Sequence, residues 1–247
     1  MKHVLAIVAT SEKTWHFGEK YLFNEYFLKN RIFFDLAIVC NGFQAEAEAC
    51  LKALAPEYLF FRENKGYDIA ALDYAIKKLP HYPHYLFLHE DNWFFDDAWF
   101  EKLDRMQMSN LSLDIFGNLV TDPAHSMEGF DQIFVQNNLS FRQADFPHFL
   151  QGYTGWYRGA VIDFFLKIGG IPGFDQSSRL ATHIFERFTS YLLMMHGYRF
   201  GQIPPGYEKF LMHADWKTTP DKKKAEMAAA LAEYSKADLN FHVEDDA

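Results

Sequence analysis

Four short segments carry side chains whose types and spacing could do chemistry. In the first, the apolar run Tyr85-Leu86-Phe87-Leu88 stops at His89-Glu90-Asp91-Asn92. Carboxylates and an imidazole at a strand end suit a divalent cation, and Mg²⁺ or Mn²⁺ in such a place shares its coordination with substrate phosphates. On an extended strand His89 and Asp91 share a face and Glu90 opposes them. The same acids could equally be solvated loop groups that cap a helix starting near Asp96. The second segment is Glu63-Asn64-Lys65-Gly66-Tyr67-Asp68. Gly66 permits a tight turn or close ligand approach, Lys65 could meet a phosphate, and Asp68 could cap the next helix. An ordinary strand–turn–helix joint reads the same way. The third is Gln151-Gly152-Tyr153-Thr154-Gly155-Trp156-Tyr157-Arg158. Aromatic rings beside glycines offer flat faces for sugars or bases, or else form a buried strand. The fourth is Thr182–Gly197, where Glu186 and Arg187 lie near a helix start, as acids often do for dipole reasons alone.

These segments need a scaffold, and the hydrophobic pattern supplies one. Val4–Ala9, Leu36–Val39, Tyr58–Phe61 and Tyr85–Leu88 read as buried strands. Between them, Glu19–Lys29, Ala45–Leu54 and Asp68–Leu79 have helical spacing. Alternating strands and helices imply βαβ units, a mostly parallel sheet and right-handed crossovers. Ligands then bind beyond the carboxyl ends of the strands. That rule selects Thr10-Ser11, Asn41-Gly42, Glu63–Asp68 and His89–Asp91, all on one rim. Further on, Asp114–Val120 and Tyr198–Ile203 read as strands, and Ala160–Ile168, Thr182–His196 and Asp221–Lys236 as helices. Gly169–Gly173 is a break, and Thr121–Asp145 reads as loops with a short strand. The expectation is a single α/β domain over 1–247. Residues 1–120 would form its nucleotide-binding half, 121–206 an irregular acceptor half, and 207–247 a helical extension.

Composition narrows the function. The chain has 247 residues, 49% hydrophobic and 23% charged, which suits a globular core rather than disorder. Acids outnumber bases 33 to 24, for a formal net charge of −9. Phosphate contacts dominate nucleic-acid affinity, and no basic face is apparent, so nucleic acid is not an expected partner. The two cysteines, Cys40 and Cys50, are too few for a disulfide framework and read as reduced thiols of a cytoplasmic protein. No apolar run is long enough to span a bilayer, and Met1–Val4 enters a strand without a leader pattern. The expected location is the cytoplasm, either free or recruited to the inner membrane face by a partner.

Taken in order, the four segments resemble the family-2-type glycosyltransferases of GT-A fold, including their rhamnan-synthesis-like branch with its Asn-x-Gly-x-Asp turn. The resemblance runs over Val4–Ile203 and rests on motif order and spacing. It implies a GT-A-like, mostly parallel sheet flanked by helices. It implies transfer of a sugar from a UDP-, GDP- or dTDP-linked donor to a hydroxyl of a glycan or surface polysaccharide, with inversion and a divalent metal (Mn²⁺ or Mg²⁺). By that resemblance Thr10 and Asn41 edge the nucleotide pocket. Asn64, Lys65, Gly66, Asp68 and Glu90 lie along the donor. His89-Glu90-Asp91 takes the place of the Asp-x-Asp motif, with His89 and Asp91 as metal ligands, Asp91 foremost, and His213 completing the set. Gly155, Trp156, Tyr157 and Arg158 match the acceptor-side segment, Gly169-Gly170-Ile171 matches the Gly-Gly turn, and Glu186 matches the general base. The chain departs from the pattern where His89 replaces the first Asp, where Phe185 replaces the first acid of the Glu-Asp pair, and at Cys40-Asn41.

Three other readings stay open at this stage. A nucleotidyltransferase would need a Gly- and Lys/Arg-rich loop after the first strand, and Thr10-Ser11-Glu12-Lys13 lacks it. A catalytically silent GT-A-like module would bind a nucleotide sugar or glycan without turnover. A histidine metallohydrolase would draw on the 11 histidines, yet His81 and His84 flank Pro83 without His-x-x-x-His spacing.

Overall fold

A computed structural model describes residues 2–94, 97–120, 149–174, 179–202 and 212–213. The expected helix Asp221–Lys236 and the segment Thr121–Asp145 lie outside the described residues. The strands are β1 (Val4–Ser11), β2 (Asp35–Asn41), β3 (Tyr58–Arg62), β4 (His84–His89), β5 (Asn92–Trp93), β6 (Ile115–Val120), β7 (Phe149–Arg158), β8 (Phe200–Gln202) and β9 (Met212–His213). The helices are α1 (Trp15–Phe17), α2 (Glu25–Lys29), α3 (Ala45–Ala53), α4 (Tyr67–Lys78), α5 (Trp99–Ser109), α6 (Gly159–Lys167) and α7 (Arg179–Met195).

Seven strands form one sheet in the order β3-β2-β1-β4-β7-β6-β8. Only β7 runs against the rest: it pairs antiparallel with both β4 and β6, while every other pairing in the sheet is parallel. Strand β1 shows why the sheet is buried on two faces. Val4, Ala6 and Val8 point into one core with Leu36, Ile38, Leu86 and Leu88. Leu5, Ile7 and Ala9 point into the other with Ala37, Val39, Tyr85 and Phe87. A strand covered on both sides must be apolar at every position, which is the continuous run seen in the sequence. Helices α2, α3 and α5 close the first core through Phe27, Leu51 and Leu103. Helices α4, α6 and α7 close the second through Leu72, Ile162 and Leu193.

The expected helix Glu19–Lys29 is broken. Gly18–Leu22 is a π turn, and the α-helix restarts at Glu25. Asn24 causes the restart: its extended backbone and its side chain, which accepts from the Phe27 N–H at 3.0 Å, cap a new helix. The expected mostly parallel α/β sheet flanked by helices is present. Among the described residues of the second half, β7 is a ten-residue strand inside the sheet, between β4 and β6.

Candidate active site

The parallel strands end on one rim, and the rim collects acids. Helix α4 begins there at Gly66, whose φ of 75° lies in the left-handed region, followed by Tyr67 at φ 52°. A Cβ on Gly66 would lie 2.1 Å from the Phe174 carbonyl oxygen, so no other residue fits this turn without displacing its neighbour. The turn is held from β2 and β3. The Asn41 side-chain amide donates to the Tyr67 carbonyl at 2.8 Å, and Arg62 Nη1 donates to Asn41 Oδ1 at 2.5 Å and to the Lys65 carbonyl at 2.8 Å. Asp68 is thereby placed in the first turn of α4, where the helix dipole favours a carboxylate.

Across the rim, β4 delivers His89. Its Nδ1 lies 3.2 Å from Asp68 Oδ2. Its Nε2 faces the Gly152 carbonyl, which can only accept, so Nε2 carries a proton. Gly152 and Tyr153 also form a consecutive left-handed pair, at φ 61° and 56°. An aromatic residue with positive φ is uncommon, and two such pairs flank one imidazole. The pair at Gly152-Tyr153 is a site feature that sequence reading missed, because spacing does not reveal φ at a tyrosine. Asp68, His89 and Glu90 each offer a ligand atom, and these atoms lie within 4.8 Å of one another.

The site is electrostatically loaded. Burial would push the His89 imidazole down, but Asp68 first, then Asp91 and Glu90, raise its pKa to about 10. Burial, with Asp68 and Asp91 beside it, raises the Glu90 carboxyl to about 8, against the opposing hydrogen bond from Thr14 and the charge of His89. Three carboxyl groups around one imidazole can be ionised together only beside positive charge. A proton on Nδ1 supplies it, and a divalent cation between Nδ1 and the carboxylates would do the same. The donor set fits such a cation: hard oxygens dominate, and the Nε2–H bond to Gly152 selects the tautomer whose Nδ1 lone pair faces Asp68.

The sequence-derived residues fall into three groups. Asp68, His89 and Glu90 are brought together, and Asp91 is buried next to them. His213 sits by backbone pairing opposite Asn92, one residue beyond Asp91. Thr10 is buried at the rim with no hydrogen-bond partner for its hydroxyl among the described residues. Glu186 is 8% exposed on α7, one turn before Ser190, whose hydroxyl receives the Leu150 N–H of β7 at 3.1 Å. Tyr153 and Thr189 hydroxyls also meet across this contact at 2.9 Å.

In the second group, Asn41 and Gly66 shape the loop, and the Asn41 amide is used at both ends within it. Asn64 and Lys65 are exposed, with Lys65 paired to Glu63 at 2.7 Å.

The third group needs correction. Gly155, Trp156, Tyr157 and Arg158 were expected on the acceptor side. They lie at the far end of β7, where Arg158 pairs with His84 at the start of β4. Because β7 is antiparallel, its carboxyl end points away from the rim. Trp156 and Tyr157 are each 1% exposed in opposite cores, leaving no ring face for a sugar. A Cβ on Gly155 would lie 2.8 Å from the Phe116 carbonyl oxygen, so that glycine serves the packing of β6 on β7.

The backbone has known counterparts. No protein-family model matches the chain, and no curated protein sequence does. Among solved structures, a mannosyltransferase from Pyrobaculum calidifontis, in complex with GDP-mannose and Mn²⁺, aligns with TM-score 0.59 at 15% identity over 95% of this chain and 64% of its own. TarS residues 1–349 from S. aureus align with TM-score 0.56 at 13% identity over 97% of this chain and 67% of that one. The same TarS fragment in complex with UDP-GlcNAc gives 0.54 at 10% identity. The fold is that of the GT-A glycosyltransferases. The chain spans about two thirds of the length of these neighbours. Among the described residues, no helix is long and apolar enough to cross a membrane.

Proposed function

We propose that the chain is a metal-assisted glycosyltransferase that moves a sugar from a nucleotide diphosphate sugar to a hydroxyl acceptor with inversion. One observation carries the reading: the Asp68–His89–Glu90 cluster lies beyond the carboxyl ends of the strands in a GT-A sheet. Asp68, His89 Nδ1 and Glu90 would hold a divalent ion, with Asp91, next in sequence, and His213, whose backbone pairs with Asn92, to complete its shell. When bound, that ion supplies Lewis-acid neutralisation of the charge developing on the departing diphosphate.

The protein's own groups do the rest. The Gly66 turn fixes Asp68, and the Gly152 carbonyl fixes the plane of His89, so the ligand atoms stay aimed at one point. Glu186 is the candidate base. It must take the proton of the acceptor hydroxyl as that oxygen attacks the anomeric carbon, and its burial on the β7 side of α7 shields it from bulk water. A single displacement of this kind inverts the anomeric centre. A glycan or surface polysaccharide is the acceptor class we assign. The corrected placement of Trp156 and Tyr157 means its contacts must come from residues other than those two.

The test is a thermal melt of the purified chain against UDP-, GDP- and dTDP-sugars, each with and without Mn²⁺. The expected result is a metal-dependent rise in Tm with one nucleotide class, since a ligand that binds only the native state raises Tm by mass action. No rise with any of them would overturn the reading in favour of a silent GT-A-like fold. Glu186→Gln should then lower kcat with donor binding unchanged; near-normal turnover in a folded variant would remove Glu186 as the base.

A further inference from the structure

At the opposite end of the β4–β7 pair lies an open groove of about 400 Å³, with His81, His84, Gln107 and Arg158 among its lining residues. Its polar groups are short of partners. Arg158 Nε, His84 Nδ1 and Gln107 Oε1 are all buried without a hydrogen bond to any described residue, and Gln107 is only 1% exposed. Such orphaned groups are rare in native proteins, and of the three Arg158 Nε–H is the fixed donor, the one an anion can satisfy. Arg158 forms no ion pair with any described residue.

The charges are arranged for an anion. Arg158 is also the residue before α6, its side chain does not cap that helix, and the positive pole of α6 opens onto the groove at Gly159-Ala160. The nearby carboxylates each have a partner, and one of them, Asp163, is held by His81 of the groove itself. Asp163 pairs with His81 at 3.1 Å, Asp104 pairs with His3 at 3.3 Å, and Asp114 Oδ2 accepts from the Arg199 N–H at 2.9 Å. Burial, then His3 and Arg158, hold His84 below its ordinary pKa, so Arg158 carries the groove's charge. Opposite this pole the wall is apolar, with Met108 and Leu111 standing 55% and 64% exposed beside Pro83.

We propose that this groove is a second binding site, for a small soluble amphiphilic anion. Its charged oxygens would lie on Arg158 and the start of α6, and its apolar body against Met108, Leu111 and Pro83. A volume near 400 Å³ is that of a small-molecule site rather than of a peptide or a bilayer surface. The inference does not depend on the rim being a transferase centre, because β4 separates the two ends by about 17 Å.

n-Hexyl phosphate is the probe, with inorganic phosphate and 1-hexanol as its two halves. The readout is the NMR signal of the Arg158 Nε–H together with a binding isotherm. Hexyl phosphate is expected to shift that signal and to bind more tightly than either half. Arg158→Gln should weaken binding by about tenfold or more, the loss typical of one charged hydrogen bond, with Arg158→Lys recovering part of it. Ala160→Glu, at an exposed position that leaves the core intact, should weaken it by repulsion. An unmoved Arg158 signal at millimolar probe overturns the proposal, as does binding that survives both Arg158→Gln and Ala160→Glu. Binding to phosphatidylglycerol vesicles without binding of hexyl phosphate also overturns it, in favour of a membrane surface.

Discussion

Strand β4 carries a histidine at each end, and the two stand in opposite surroundings. His89 ends the strand among Asp68, Glu90 and Asp91, which raise its pKa to about 10. His84 begins the strand between Trp156, His3 and Arg158, where burial, then His3 and Arg158, lower its pKa. Both rings are largely covered, and burial pushes both downward. The difference lies in the neighbours. A loop at the carboxyl end of a parallel sheet gathers acids from two elements, whereas the amino end receives Arg158 from the antiparallel strand β7. One sheet thus gathers carboxyl groups at one end and an arginine at the other.

The largest effect should come from stripping charge out of the acidic end. Asp68→Asn or Glu90→Gln should lower Mn²⁺-dependent turnover by about a hundredfold and abolish the metal-dependent part of the nucleotide Tm shift, because each removes a ligand from a small donor set. Unchanged metal dependence in either variant would dissolve the contrast between the two ends.

Next comes the buried carboxylate that braces the acidic end. Asp73 is 3% exposed, accepts from the Ile171 N–H at 2.8 Å, and pairs with Lys77 at 2.7 Å. It therefore ties the Gly169–Gly173 turn to α4. Asp73→Ala strands Lys77 and a buried N–H, and should cost about 3 kcal/mol in a chemical denaturation experiment. Asp73→Asn, which keeps an acceptor, should cost less; equal losses would mean that shape rather than hydrogen bonding matters there.

The Gly66 turn should follow closely. Gly66→Ala places a methyl against the Phe174 carbonyl at a strained φ, and should cost about 2 kcal/mol while weakening metal binding through Asp68. Loss of stability with unaltered metal affinity would show that the turn does not position Asp68.

The smallest effect sharpens the comparison through pH. His84 has a folded pKa below its unfolded value, so its contribution is present above about pH 6.5 and is lost as pH falls through the folded pKa. His84→Phe should therefore flatten the fall in Tm between about pH 7 and pH 5, by an amount worth less than about 1 kcal/mol. An unchanged or steeper fall would mean that His84 is not held neutral in the folded state.

Much of the fold was legible. The apolar runs at Val4–Ala9, Leu36–Val39 and Tyr85–Leu88 are strands because a sheet covered on both faces admits no polar residue, and that requirement is written residue by residue. The acidic rim was legible for the same reason: polar residues can only resume where a strand leaves the core. Glu19–Lys29 misled because helical spacing continued across Asn24, whose side chain prefers to cap. Trp156 and Tyr157 misled because aromatics beside glycines look alike in a sugar platform and in a central strand.

By itself the sequence determined the βαβ order, the rim and the residue types gathered on it, because local pattern follows directly from burial on two faces. The tertiary structure alone decided which of those residues meet. The family resemblance put Asp91 first as metal ligand, while the left-handed turn at Gly66-Tyr67 brings Asp68 to His89 across 21 positions. It also decided that β7 runs backwards, which carries Arg158 to the far end of the sheet. Strand direction depends on long-range pairing, and no local pattern of side chains encodes it.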